Sequence, residues 1–338
     1  MPAVSVDGEW ATAAGLLALM AVDGVGPARA LAVARGEQAA DALADRAMLV
    51  DERERAKAQM STWAAGGVLT LGFFDEAFPA VLRVIPSPPA VLYWRGHPEA
   101  WSRPALAVVG TREPTAFGVA ATRTLTQAAA SRGFMIVSGL APGIDTVAHE
   151  AALDAGARSV AVLGSGLDMA SASTYGEAAL ARRIVTTGGA LISEQPFGVS
   201  PSAMTLVARN RLQTGLADAI LVGQSGVQGG TLHTVRYAAE QGRPVYCPVP
   251  HEPAEASAGL RVLLDEPARR LPELLPAWRN AGRLAARLGD RPLARPVHAE
   301  DTETWLTELG ALPAEHPSDT TGRGRQRTFE EMGPGSRR

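Results

Sequence analysis

The chain has 338 residues, 46% of them hydrophobic, which is enough for two domains or for one large domain with appendages. Its formal net charge of −3 excludes a uniformly basic nucleic-acid coat but not a local basic groove. Cys247 is the single cysteine, so neither an intrachain disulfide nor a cysteine-based zinc site can form, and the lack of GxxxxGK[ST] excludes a P-loop ATPase. No run reaches the ~18 apolar residues that span a bilayer and no signal peptide is evident, which predicts a cytoplasmic protein with no membrane partner.

Residues 1–64 are predicted to form a small helical domain. Apolar helical patterns at 13–22 and 28–35 flank the sequence Asp-Gly-Val-Gly-Pro at 23–27. That turn resembles a helix-hairpin-helix turn, whose backbone amides can meet a DNA phosphate. A compact corner between two helices is the alternative interpretation.

Residues 65–252 are predicted to form the core of the protein. Short strands at Val68–Leu71 and Val91–Trp94 precede a repeating pattern, in which apolar strands end in turns rich in Gly, Ser and Thr and each turn leads into a helix. The predicted helices lie at roughly 117–131, 145–155, 174–187, 205–217 and 231–241. This alternation predicts an α/β fold with a Rossmann-like, mostly parallel sheet and helices on both faces, preceded by the small helical domain.

The pattern weakens after the core. Residues 253–312 predict a short helical extension, with candidate helices at 260–264, at 271–288 and near Trp305–Leu309. Residues 313–338 are mainly Gly, Pro, Ser, Thr and Arg, which predicts a disordered basic tail with weak affinity for a polyanion.

Four of the glycine-rich turns predict a phosphate-binding crevice. The carboxyl ends of parallel strands meet at one edge of a sheet, where small residues let a phosphate approach the backbone and helix N-termini supply unpaired N–H donors. The turn residues expected in this crevice are Gly110, Thr111, Arg112, Ser138, Gly139, Gly143, Gly164, Ser165, Gly166, Gly230 and Thr231.

Three arginines and an asparagine extend the predicted crevice. Guanidinium forks suit phosphate oxygens, and the amide suits a base edge or a sugar. Beside four phosphate-type turns, anion binding is favoured over the alternative of ion pairs with Asp218 or Glu240. The residues concerned are Arg209, Asn210, Arg211 and Arg236.

Candidate catalytic groups are sparse. Asp145 and His149 lie four residues apart and share a helix face, but an N-cap role for Asp145 is sufficient. Ser138 and Ser165 lie outside any GxSxG motif, and Glu194 follows a strand without an evident partner. No GxGxxG motif follows the first core strand, which argues against a nicotinamide cofactor. We therefore expect no catalytic residues, no metal and no cofactor.

In combination, these motifs resemble the DNA-processing protein A family (DprA, also called Smf). The resemblance extends from about Gly66 to Pro250, and its motifs occur in the family's order. The matching motifs include Val109–Arg112, Val137–Asp145 with Ala148-His149, Ala161–Asp168, Leu191–Glu194, Arg209–Arg211, Gly230–Leu232 and Gln241–Val245.

The resemblance implies a Rossmann-like core that binds single-stranded DNA without covalent catalysis. It also implies a homodimer that helps to load RecA recombinase onto incoming strands during natural transformation. The crevice residues named above would then line the DNA groove.

The sequence departs from the family pattern and is interpreted as a diverged member. Pro142 stands where many relatives have Arg, Gln224 replaces a usual Glu, and Gly229 replaces Ser. Residues 169–175 lack the usual Tyr-Pro, and no winged helix is evident after residue 250.

Two other functions compete with this interpretation. Cytokinin-activating phosphoribohydrolases share the sheet and a Pro-Gly-Gly-x-Gly-Thr-x-x-Glu motif that residues 229–231 resemble. This resemblance would indicate a nucleotide sensor or a hydrolase, for instance one encoded in a defence locus. However, His233 and Thr234 stand in place of its glutamate. The other alternative is a pure interaction module with a vestigial crevice, which Pro142 and Gln224 favour slightly.

Overall fold

The computed structural model of the chain describes residues 8–96, 104–168, 178–251, 254–274 and 281–311. The basic tail predicted at 313–338 and the departure from the family pattern at 169–175 lie outside these ranges. Among the helices in these ranges, none has the length and apolarity needed to cross a bilayer.

The chain begins with three helices, α1 (Ala13–Met20), α2 (Pro27–Ala34) and α3 (Arg46–Ala65). Each start carries a local signal: Thr12 accepts a hydrogen bond from the first turn of α1, Pro27 occupies the first position of α2, and Asp45 caps α3. Helix α1 packs against α3, so the predicted helical N-terminal region is present.

Within the described ranges, nine strands form one sheet in the order β1-β2-β6-β5-β4-β3-β7-β8-β9. Strands β1 and β2 pair antiparallel with each other, and β2 pairs antiparallel with β6, whereas the strands from β6 to β9 are parallel. The strands are β1 (Val68–Gly72), β2 (Val91–Gly96), β3 (Ala105–Gly110), β4 (Met135–Ser138), β5 (Ser159–Leu163), β6 (Ala190–Ser193), β7 (Ala219–Gln224), β8 (Val245–Pro248) and β9 (Arg295–Val297).

Helices cover both faces of the sheet. Along β3, Leu106 and Val108 point into one apolar cluster, which includes Leu125, whereas Ala107 and Val109 point into the cluster on the other face. The core helices are α4 (Ala80–Arg83), α5 (Ala116–Ser131), α6 (Ile144–Asp154), α7 (Ala178–Thr186), α8 (Ala203–Leu216) and α9 (Gly230–Glu240). The predicted Rossmann-like α/β fold is thereby confirmed.

The C-terminal extension differs from the purely helical segment that its sequence predicts. Its helices are α10 (Ala258–Asp265), α11 (Leu271–Leu274), α12 (Ala281–Leu288) and α13 (Thr302–Gly310), but β9 also adds a ninth strand beside β8. A three-residue strand that contains Pro296 has too little alternation to be recognised from its sequence. Helix α13 packs on α5, and the Trp305 ring lies 6.1 Å from that of Tyr246, so this part of the extension belongs to the core.

Candidate nucleic-acid interface

A cleft of about 380 Å³ opens where the carboxyl ends of β3 and β7 lie beside each other. The loop after β3, helix α8 and the loop that leads from β7 into α9 form its walls. Seven of the predicted crevice residues line it: Gly110, Thr111, Arg112, Arg209, Asn210, Gly230 and Thr231.

The N-terminus of α9 lies in the wall of the cleft without a side-chain cap from the described residues. Gly229 precedes the helix with φ of 115°, and no side chain within the described ranges caps it. By contrast, Thr115 caps α5, and Ser202 caps α8. A Cβ atom built on Gly229 or Gly230 would meet nothing within 4 Å. The start of α9 is therefore uncrowded and uncapped, an arrangement in which the first helical amides and the helix dipole suit an anion.

Arg112 supplies an exposed positive charge on the opposite wall. The backbone beneath it is fixed, because Thr111 N–H donates to the Gln224 carbonyl at 2.8 Å and Ile144 N–H donates to the Thr111 carbonyl at 3.1 Å. Gly143 supports this loop from below: its φ is 85°, and a Cβ there would lie 2.4 Å from the Thr111 oxygen. Gly143 thus permits close packing beneath the phosphate-type turn.

Arg209 lines the cleft, but its guanidinium is buried. Its Nη1 donates to the Val162 carbonyl, and its Nη2 lies 3.9 Å from Oδ2 of Asp145. Gly139 makes room for this guanidinium, since a Cβ there would overlap it. Arg209 therefore joins α8 to the ends of the central strands and places a buried positive charge behind the cleft.

Asp145 and His149 are both buried, and each has its own partners. Asp145 lies in the first turn of α6, while Gly143 occupies the N-cap position, so the expected N-cap role does not apply. Burial raises the pKa of the Asp145 carboxyl, although Arg209 and the amide of Ala141 oppose that shift. The Nδ1 atom of His149 lies 2.7 Å from Oγ of Ser159, and burial lowers the pKa of His149 to about 3.

No group of three His, Cys, Asp or Glu residues suited to a metal ion occurs in the described part of the chain.

Arg211 points away from the cleft and forms an ion pair with Glu194. Its Nη1 and Nη2 lie 2.8 and 2.5 Å from the two carboxylate oxygens, and its Nε donates to the Ser87 carbonyl at 2.7 Å. Both side chains are only 11–12% exposed. The sequence had left Glu194 without an evident partner, and the structure supplies it.

Arg236 also lies outside the cleft lining. It pairs with Glu240 at 3.3 Å, and its guanidinium stands 4.4 Å from the centre of the Tyr237 ring. For this arginine the structure shows the ion pair that was the alternative to anion binding.

The turns after β4 and β5 lie at the same edge but beneath other elements. Ser138 is buried, and its hydroxyl donates to the Val108 carbonyl at 2.6 Å. Gly164, Ser165 and Gly166 are buried too. A Cβ on Gly164 would lie 3.0 Å from the Leu206 amide, so this glycine lets α8 approach the sheet. These turns support the cleft without lining it.

Two glutamines near the cleft were absent from the predicted set. Gln224 is buried at the end of β7, where its Nε2 donates to Ser257 Oγ at 2.8 Å and its Oε1 accepts from Thr115 N–H at 2.8 Å. Gln213 lines the cleft and is 1% exposed. Helical spacing was the available signal for Gln213, since it follows Asn210 by three residues and therefore shares its face of α8.

Fold and cleft together define a Rossmann-like α/β protein with a cleft at the carboxyl edge of its parallel strands. The family model for DNA recombination-mediator protein A matches residues 69–277. The chain therefore belongs to that family, and the resemblance seen in the sequence is confirmed.

Two curated relatives illustrate the extent of the match. Protein Smf of Synechocystis is 35% identical over 281 residues, covering 72% of this chain and 69% of that protein. Protein Smf of Escherichia coli is 40% identical over 172 residues, covering 51% of this chain and 46% of that protein, so the match spans about half of the E. coli protein.

Solved structures share the fold. DNA processing protein A of Streptococcus pneumoniae superposes with a TM-score of 0.62 at 23% identity, covering 86% of this chain and 96% of that one. The Helicobacter pylori protein, whose structure was described for its single-stranded DNA binding mode, gives 0.55 at 22% identity, with 72% and 95% covered.

Proposed function

We propose that this chain is a recombination mediator that binds single-stranded DNA across the cleft. The observation that carries the proposal is the convergence of an uncapped helix N-terminus, an exposed arginine and a side-chain amide on one cleft, in a chain of this family. Each of these groups suits a sugar-phosphate strand.

The strand is held mainly through its phosphates, so binding has no strong sequence preference. The α9 amides take one phosphate, and Arg112 neutralises a neighbouring one. Asn210 already donates to the Gly230 carbonyl at 3.3 Å, which fixes α8 against the start of α9. Because Arg209 is buried and Arg211 is paired with Glu194, Arg112 contributes most of the cleft's dependence on salt.

Family membership extends the proposal to partners and setting. The protein acts in the cytoplasm as a homodimer, loads RecA recombinase onto the bound strand during natural transformation, and carries out no covalent catalysis. Its helical N-terminal region adds the glycine turn at 23–27 as a second place for a phosphate.

Hydrolysis of a nucleotide is the less favoured function. Glu194, the carboxylate that could have replaced the missing glutamate, is paired with Arg211. Asp145 is the one carboxylate among the described residues of the cleft lining, and it lies buried near Arg209. Release of free base from a nucleoside monophosphate by the pure protein would reverse this preference.

The test compares Arg112→Ala with the wild type by filter binding at several salt concentrations. Loss of one phosphate contact weakens binding to all single-stranded sequences alike, roughly tenfold, and flattens the salt slope by about 0.7. Arg123→Ala is the matched control, because Arg123 is partly exposed on α5 and pairs with Glu150 and Asp154 outside the cleft. Wild-type protein that fails to bind single-stranded DNA contradicts the function, and an unchanged Arg112→Ala slope contradicts the placement of the groove.

A further inference from the structure

A buried donor in the cleft has no acceptor. Gln213 lies on α8, lines the cleft and is 1% exposed. Within the described residues its Nε2 has no hydrogen-bond partner. A buried N–H group without an acceptor destabilises the free protein, so folded proteins seldom leave one unsatisfied.

The neighbours of Gln213 indicate which kind of acceptor would suit its amide. Gln213 follows Arg209 by four residues and Asn210 by three, so all three share the face of α8 that lines the cleft. Asn210 ties this face to Gly230, the first residue of α9. Gln213 therefore stands behind a helix N-terminus whose amides are donors, with the positive charge of Arg209 close by.

We infer that Gln213 donates through Nε2 to a phosphate oxygen of a nucleotide whose phosphate sits at the N-terminus of α9. The first amides of α9 and the Gln213 amide are N–H donors, which match a negatively charged ligand rich in acceptor oxygens, and the Asp145 carboxylate in the cleft lining lies beside the guanidinium of Arg209. The volume of about 380 Å³ admits a single nucleotide unit. The inference rests on the proposed function, because that unit is one nucleotide of the bound strand.

The neutral amide makes this contact distinct from that of Arg112. An uncharged donor strengthens binding without displacing a counterion, so its removal lowers affinity and leaves the salt slope unchanged. Its removal also relieves the unsatisfied donor of the free protein. Removal of the Gln213 amide should therefore raise stability and lower affinity. Removal of a purely structural glutamine would not have these opposite effects.

The experiment uses full-length Gln213→Met, in which a side chain of similar length lacks the donor. Thermal unfolding measures the free protein, and titrations measure thymidine 5′-monophosphate, thymidine and single-stranded DNA. We expect a higher Tm, about tenfold weaker binding of the monophosphate and of DNA, an unchanged salt slope and an unchanged response to thymidine.

Gln241→Met is the control for position, because Gln241 lies outside the cleft: its Nε2 donates to the Arg211 carbonyl at 3.0 Å, while its Oε1 is buried without a partner among the described residues. It should leave the affinity for the monophosphate and for DNA unchanged. If Gln213→Met behaves in the same way, the glutamine is structural and the inference is overturned. An equal loss for thymidine and its monophosphate overturns the assignment to phosphate. If wild-type protein binds the monophosphate through Gln213 but not DNA, the proposed function fails while the Gln213 contact stands.

Discussion

Replacing Arg211 by alanine tests whether this arginine holds the fold rather than the DNA. The substitution removes both hydrogen bonds of a bidentate ion pair and leaves the carboxylate of Glu194, a side chain only 12% exposed in the intact pair, without its cation. Arg211 also donates to the Ala208 carbonyl within α8 and to the Ser87 carbonyl before β2, so the substitution removes a direct connection between these two segments.

The magnitude follows from burial. Breaking a fully buried ion pair by removing one partner costs about 3–5 kcal/mol, because the remaining charge is left in a poor solvent. The residual exposure of both side chains places Arg211→Ala near the lower limit, at about 3 kcal/mol. Glu194→Gln relieves the stranded charge, so the double variant should recover more than about 1 kcal/mol relative to additivity.

The wild type, Arg211→Ala, Glu194→Gln and the double variant form a double-mutant cycle. Urea unfolding of these four proteins measures the coupling free energy between Arg211 and Glu194, and filter binding at several salt concentrations measures the contribution of Arg211 to DNA binding. We expect the free energy of unfolding to fall while the affinity per folded molecule and the salt slope stay as in the wild type. If Arg211→Ala flattens the salt slope of DNA binding and leaves stability unchanged, the reasoning is refuted, and Arg211 binds a phosphate as the sequence predicts.

Two further predictions concern acid stability and the extension. Burial holds the pKa of His149 at about 3 against an ordinary 6.5, so the unfolded chain binds a proton that the folded chain does not, and stability is lost as the pH falls from about 6.5 toward 3. His149→Gln should reduce that loss by up to about 1.4 kcal/mol per pH unit. If the free energy of unfolding depends on pH in the same way in both proteins across this range, the prediction is wrong. Trp305→Ala should destabilise the whole chain by about 3–4 kcal/mol in chemical unfolding, because Trp305 is 3% exposed and packs near Tyr246. A small separate transition, with the main one unmoved, would show instead that the extension folds by itself.

The backbone of the site was predictable from the sequence because topology leaves little freedom. Parallel strands bring their carboxyl ends to one edge, so the turns that contain Gly110 and Gly230 were expected to meet, and they do. The strand and helix positions of the core agree to within a few residues for the same reason: apolar runs that end in glycine-rich turns can form little else.

Side-chain partners were less predictable. In the sequence, Arg209 and Arg211 look like two neighbouring guanidinium groups that would bind the same phosphate strand. Both lie inside α8, however, where residues two apart are separated by about 200° around the helix axis. One therefore faces the cleft and the other faces Glu194. Burial also depends on contacts from distant segments, so nothing in the sequence near Ser165 indicated that this turn would be covered.

The ninth strand has a consequence for how copies of this protein can associate. Strand β9 lies along β8 and occupies its hydrogen-bonding positions, and Pro296 in β9 has no N–H to offer a further strand. The extension thus closes this margin of the sheet against edge-to-edge growth. Any contact between copies on this side therefore relies on side-chain surfaces and not on a shared sheet.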